Sequence, residues 1–327
     1  MWFNTSTGQK LPYYNTQAKS AWWDNGSLPI WITAQRQVSH QNTTLPELGG
    51  DHERGSPHQL VTPKPNWHGV FCISHQFSSS TQNIDTVMKW FVEDDLDFVA
   101  LYFGEPDSTG HKFGPESQKR KDMVRQVDRT VGYLRSRIEE NTSSNRSFNL
   151  IITSDHGMET VIKENEIHLR KVQNFSFSDI QFELVDYGPS GLLVPKPGKL
   201  EQVYEALKDA HPKLHVYKKE AFPKRFHYAN NSRITPLVLY SDPGYRIKVQ
   251  QNLGEHGFDN AHMNMKTIFR AVGPDFRKGL EVEPFESVNV YALLCELLQI
   301  TPEPHDGSLD ATKYMLAKNA GVTFLVL

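Results

Sequence analysis

Three short segments of the chain place histidine and carboxylate side chains between glycines. They are Gly104-Glu105-Pro106-Asp107-Ser108-Thr109-Gly110-His111, Ser154-Asp155-His156-Gly157-Met158, and Gly254-Glu255-His256-Gly257-Phe258-Asp259-Asn260. Imidazole nitrogen and carboxylate oxygen are ligands that zinc takes in small coordination numbers, and glycine keeps the flanking backbone slim. The candidate ligands are Asp107, His111, Asp155, His156 and His256. They are too many for one tetrahedral ion and too few for two closed ones. Two ions about 3.5–4 Å apart form the clamp that phosphatases and nucleases apply to attacking and leaving oxygens. Taken singly, an Asp-His pair after a strand also serves as a structural cap. Three such segments in one chain favour metal chemistry.

The elements that must carry these loops follow from the hydrophobic pattern. Residues 97–103 and 148–153 are nearly continuous apolar runs, which predict strands buried on both faces. Between them, residues 115–140 predict a long amphipathic helix with Met123, Val127, Val131 and Leu134 on one stripe. Ile84, Val87, Met88 and Phe91 give helical spacing just before the first strand. Strand, helix and strand in that order imply a crossover and a parallel sheet. Ligands of such sheets lie beyond the carboxyl ends of the strands, where the first two segments begin. Further strands are expected at 188–194 and 235–240, and helices at 200–210 and 288–298. Residues 29–33 read as a short strand, and 38–82, rich in Gly, Pro, Ser, Thr, Gln and His, as a divergent loop or insert.

Composition narrows the classes. A formal net charge of -3 leaves no basic footprint for nucleic acid. Two cysteines, Cys72 and Cys295, are too few for a disulfide scaffold. Cys295 sits in an apolar helical stretch and reads as buried, whereas His211, His215 and His227, among lysines, read as solvent-facing. The start of the chain carries no secretion signal and its apolar end, 322–327, is shorter than a membrane helix. Asn-x-Ser/Thr sequons nonetheless begin at Asn4, Asn25, Asn42, Asn141, Asn145, Asn174 and Asn230, which points to the secretory pathway.

The segments EPDSTGHKFGP, ITSDHGM and GEHGFDN, in that order, resemble the ectonucleotide pyrophosphatase/phosphodiesterase family of the alkaline phosphatase superfamily, in particular its sphingomyelin-cleaving type. The likeness continues through WWDNGS, PIWITAQRQ, RQVDRTVGYL, KDAHPKLHVYKKEAF, KTIFRAVGP and VEPFESV, over residues 1–37 and 83–306. It implies an alkaline phosphatase-like α/β fold, a parallel-sheet sandwich with helices on both faces. An incomplete phosphodiesterase catalytic domain would span 1–307, followed by a divergent tail, 308–327. It also implies two zinc ions. Asp107, His111 and His256 would hold one; Asp155 and His156, with an earlier Asp and a Thr nucleophile, would hold the other. The implied reaction is of phospholipase C type: the Thr attacks phosphorus, the lipid alkoxide leaves, and hydrolysis releases phosphocholine from sphingomyelin or lysophosphocholine lipids. Phe182, and Phe77 through a gap, match aromatic positions that would face the choline ammonium. Glu105 would be an outer acceptor rather than a ligand.

The resemblance also sets out departures. The family's early Asp and Thr precede the segment matching Met1, so no catalytic nucleophile is assigned and the first strand region is not matched. The chain is therefore expected to be an N-terminally truncated copy, inactive as written. The alternatives are a nucleotide pyrophosphatase/phosphodiesterase and a non-catalytic zinc- and choline-binding form. By resemblance the protein is expected on the extracellular face of the plasma membrane or secreted. It would meet the membrane surface through its lipid substrate.

Overall fold

The computed structural model describes residues 2–5, 7–8, 10–11, 27–38, 70–75, 80–94, 96–142, 147–185, 188–247, 252–317 and 323–326. The chain divides into two compact units. One comprises Met1–Gln17, Pro106–Val124 and His156–Thr267; the other Ala18–Glu105, Arg125–Asp155 and Ile268–Leu327. The long helix Gln118–Thr142, predicted at 115–140, begins in the first and ends in the second.

The second unit holds a five-stranded sheet in the order Phe269–Val272, Phe148–Thr153, Thr323–Val326, Phe98–Phe103, Val70–His75. The edge strand Phe269–Val272 runs antiparallel to its neighbour and every other pairing is parallel. Side chains alternate between the faces of a strand, and the two faces bury different partners. Val99, Leu101, Phe148 and Leu150 pack with Ile84, Val87, Met88 and Phe91 of the helix Ser80–Glu93 and with Leu134. Phe98 and Ile151 pack on the other face with Leu293, Leu294 and Leu297 of the helix Asn289–Leu297. Helices therefore cover both faces, as expected. At the antiparallel edge, buried Asn149 donates from Nδ2 to Asp275 Oδ2 at 2.8 Å, and its Oδ1 accepts from the Asp275 N–H at 3.1 Å.

Three expectations change in this unit. Residues 29–33, read as a strand, open the helix Ile30–Val38. Its Ile30 and Ala34, one turn apart, pack with Cys295 and Ile300, and the Gln37 amide exchanges hydrogen bonds with the Thr301 backbone. Within 38–82, read as loop or insert, lies the strand Val70–His75, paired along Phe98–Phe103. The tail 308–327 contributes Thr323–Val326, which takes the position between Phe98–Phe103 and Phe148–Thr153. The backbone ladders that stabilise both strands come from distant sequence.

The first unit holds an antiparallel four-stranded sheet in the order Ile180–Leu184, Ser190–Pro195, Leu237–Ser241, Leu214–Lys218. Leu193, Leu214, Val216, Leu237 and Leu239 pack against Val203 and Leu207 of the helix Leu200–Leu207. A short antiparallel ladder pairs Gly254–Glu255 with Glu159–Thr160. Among the described residues, no helix is long and apolar enough to cross a membrane.

Candidate metal centre

Asp107 opens the helix Asp107–Phe113 and His111 follows one turn later, so both side chains leave the same face. The helix lies close to the segment that brings His256. Leu253 N–H donates to the His111 carbonyl at 2.8 Å, and a Cβ on Gly254 would fall 2.5 Å from the Gly110 carbonyl oxygen. Only glycine fits there. Just after His256 the chain turns through Gly257 at φ +87, and Ser190 Oγ donates to the Gly257 carbonyl at 2.8 Å. The Gly254–Glu255 ladder with Glu159–Thr160 ties the His256 loop to the turn carrying His156.

One ligand atom each from Asp107, His111 and His256 lies within 4.8 Å of the others. Asp107 Oδ1 is 3.4 Å from His111 Nε2 and 3.7 Å from His256 Nε2. His156 stands beside this group, with Nε2 4.0 Å from Asp107 Oδ1 and its ring stacked 3.6 Å from that of His256. Asp107 Oδ1 is buried and, among the described residues, accepts no hydrogen bond. An ionised carboxylate oxygen in that state is costly unless a cation meets it. Zinc bonds of about 2.0–2.2 Å in a tetrahedral arrangement separate neighbouring ligand atoms by about 3.4 Å. The orphaned oxygen and the spacing fit a zinc-sized ion.

The tautomers support the same orientation. His111 Nδ1 lies 2.8 Å from the Gly254 carbonyl, which can only accept, so Nδ1 carries a proton and it is the Nε2 lone pair of the neutral ring that a metal would meet. His156 does likewise, with Nδ1 2.9 Å from the Gly157 carbonyl. A buried carboxylate supports His111 from behind. Glu255 Oε2 is 3.5 Å from His111 Nδ1, and Asn252 Nδ2 donates to Glu255 Oε1 at 2.7 Å. Burial pushes the Glu255 carboxyl above its ordinary pKa, against the lowering pull of Asn252 and His111. Partners of this type fix the orientation of metal-binding imidazoles. Sequence reasoning passed over Glu255; its one signal is its place immediately before His256.

The remaining expected site residues have the following settings. Asp155 is exposed, two residues past the strand Phe148–Thr153. Phe182, expected at a choline pocket, is 4% exposed within Ile180–Leu184, so it presents no open ring face to solvent. Phe77 lies outside the described residues. His227 is exposed as expected, but His211 and His215 are half-buried. His215 Nε2 pairs with Asp242 Oδ1 at 2.6 Å because the strand Leu214–Lys218 brings it beside the end of Leu237–Ser241. Cys295 is buried, as its helix suggested.

Comparison with known proteins extends this picture. Residues 1–262 match the family described as type I phosphodiesterase/nucleotide pyrophosphatase. The chain is 59% identical over 325 residues to ectonucleotide pyrophosphatase/phosphodiesterase family member 7 of Homo sapiens, covering 97% of this chain and 69% of that protein. It is 58% identical to the Mus musculus protein of the same name, covering 97% and 72%. The solved structure of murine ectonucleotide pyrophosphatase/phosphodiesterase 5, an inactive form in complex with AMP, matches with a TM-score of 0.78 at 30% identity, over 97% of this chain and 82% of that one. The alkaline phosphatase-like α/β fold implied by the motifs is the fold of these neighbours. The chain belongs to the type I phosphodiesterase/nucleotide pyrophosphatase family.

Proposed function

We propose that the chain carries the metal-binding core of a zinc-dependent phosphodiesterase of phospholipase C type. Its substrates would be sphingomyelin and lysophosphocholine lipids, with phosphocholine as the product. The observation that carries the reading is the buried Asp107 Oδ1, left without a hydrogen bond and faced by the Nε2 atoms of His111 and His256. The lipid substrate rests on the motif resemblance and on the 59% identity to family member 7.

Asp107, His111 and His256 would hold the ion. When bound, zinc supplies positive charge beside the oxygens of a phosphodiester. The protein's own groups prepare that place. Asp107 contributes the anion that favours a cation there. The Gly254 carbonyl holds the His111 proton on Nδ1, and buried Glu255 adds negative charge behind the same ring. His156, stacked on His256, stands where a phosphate oxygen or a second ion would be met. An extracellular or secreted location is part of the same proposal, supported by the exposed sequon asparagines Asn174 and Asn230.

The test is a parallel assay of sphingomyelin, lysophosphatidylcholine and a diadenosine polyphosphate, with zinc added and withdrawn, on this chain and on an N-terminally extended one. Zinc-dependent release of phosphocholine is expected from the choline lipids. Release of AMP instead would favour the nucleotide branch, to which the AMP-bound neighbour gives some weight. Binding of zinc and phosphocholine without turnover in either chain would identify a binding protein.

A further inference from the structure

The turn that carries His156 is gripped at two points by residues 262–266. Gly157 N–H donates to the Met265 carbonyl at 3.1 Å. The approach is so close that a Cβ on Gly157 would lie 1.9 Å from the Asn264 carbonyl oxygen. Two residues on, Glu159 Oε2 accepts from His262 Nε2 at 2.6 Å and from Asn264 Nδ2 at 2.9 Å. Its Oε1 accepts from the Thr160 N–H at 2.8 Å. The Glu159 side chain is 16% exposed. Burial raises its pKa, but the hydrogen bonds from His262, Asn264 and Thr160 outweigh burial and hold it below the ordinary carboxylate value. A largely buried carboxylate is tolerated when donors surround it, and two of these donors are provided only while 262–264 stays against 159.

This grip holds the residue next to His156. The hydrogen bond from its Nδ1 goes to the carbonyl of Gly157, the next residue. That bond moves with the turn and cannot anchor it. Gly157 itself has more backbone freedom to lose than any other residue type.

We propose that Glu159 is a positioning residue: with His262 and Asn264 it clamps the turn after His156, so that the His156 ring stays stacked on His256 with Nε2 facing Asp107. Its consequence for zinc rests on the metal-centre reading above; the clamp itself does not. Glu159, His262 and Asn264 lie outside the candidate ligand set. They act through His156.

The metal-free protein gives the first test. Imidazole NMR of the wild type, Glu159→Ala and Asn264→Ala, each checked for folding by circular dichroism, reads the mutual ring-current shifts of His156 and His256. In Glu159→Ala those shifts should be lost while the His111 resonances stay in place. Asn264→Ala, a surface change that removes one donor, should show the same change in smaller measure and serves if Glu159→Ala does not fold. Unchanged His156 resonances in the folded variants overturn the proposal. The second test is zinc affinity by chelator competition. His156 stands beside the Asp107–His111–His256 group and not in it, so Glu159→Ala should weaken zinc binding by no more than His156→Ala does, and should cost almost nothing further in a His156→Ala background. An equal loss in both backgrounds shows that Glu159 does not act through His156. A wild type that binds no zinc refutes the metal reading and leaves the ring shifts to decide the clamp.

Discussion

Asp107 and His111 sit on successive turns of one helix with Oδ1 and Nε2 3.4 Å apart. That is too far for a hydrogen bond and near the separation of two ligands on one ion. His256 completes the group from a loop more than a hundred residues away. The carboxylate oxygen is thus held in a state that favours a cation over water or a protein donor.

This arrangement gives opposite signs for binding and folding. Asp107→Asn should abolish tight zinc binding, since the anionic ligand is gone. The metal-free variant should be as stable as the wild type or slightly more so: Oδ1 is buried without a hydrogen bond, but the side chain is 35% exposed, so removing its charge gains little. Thermal melts with and without zinc, alongside metal analysis after dialysis, check both halves. The wild type should retain about one zinc per chain, and a metal-free Asp107→Asn that melts well below it would contradict the charge argument.

Two glycines should respond to alanine in opposite directions. At Gly157 the new Cβ meets backbone oxygens at 1.9 and 2.8 Å, which cannot rotate away, so a loss of about 1–3 kcal/mol or more is expected. At Gly132, inside the helix Gln118–Thr142, a Cβ meets nothing within 4 Å. Alanine there should add about 0.5–1 kcal/mol through helix propensity. Denaturant titrations of both variants measure the contrast.

The buried Asn149–Asp275 pair should be costly to break. Asn149→Ala removes a donor to Asp275 Oδ2 and an acceptor for the Asp275 N–H. A buried carboxylate is then short of a partner, and a loss of about 2–4 kcal/mol is expected in chemical unfolding. A change below about 0.5 kcal/mol would mean that water replaces the amide.

Asp242 gives a pH signature. Burial raises its pKa, but His215 Nε2 at 2.6 Å and Lys213 Nζ at 3.0 Å outweigh burial and hold the carboxyl below its ordinary value. A depressed folded pKa contributes stability above the unfolded value of about 3.9, and that contribution disappears as pH falls through the folded value. Asp242→Asn should therefore melt below the wild type near neutral pH, with the gap closing under about pH 4. A gap that is constant with pH would assign the effect to packing.

The sequence by itself determined what depends on near neighbours. The apolar runs at 97–103 and 148–153 announced buried strands, and their continuity matches side chains packed on both faces. The glycines around His256 marked a close backbone approach, whereas the segment of Asp107 and His111, read as a loop, forms the helix Asp107–Phe113. Tertiary structure decided the rest. Residues 30–38 are too short an apolar stretch to choose helix over strand alone; packing on Cys295 and Ile300 settles it. Val70–His75 and Thr323–Val326 become strands only through parallel ladders with distant partners. Glu255 behind His111, and Glu159 meeting His262 103 residues away, leave no periodic trace. Local pattern records which groups a segment can offer, whereas the hydrogen bonds that bury and orient those groups arise from segments that meet only when the chain folds.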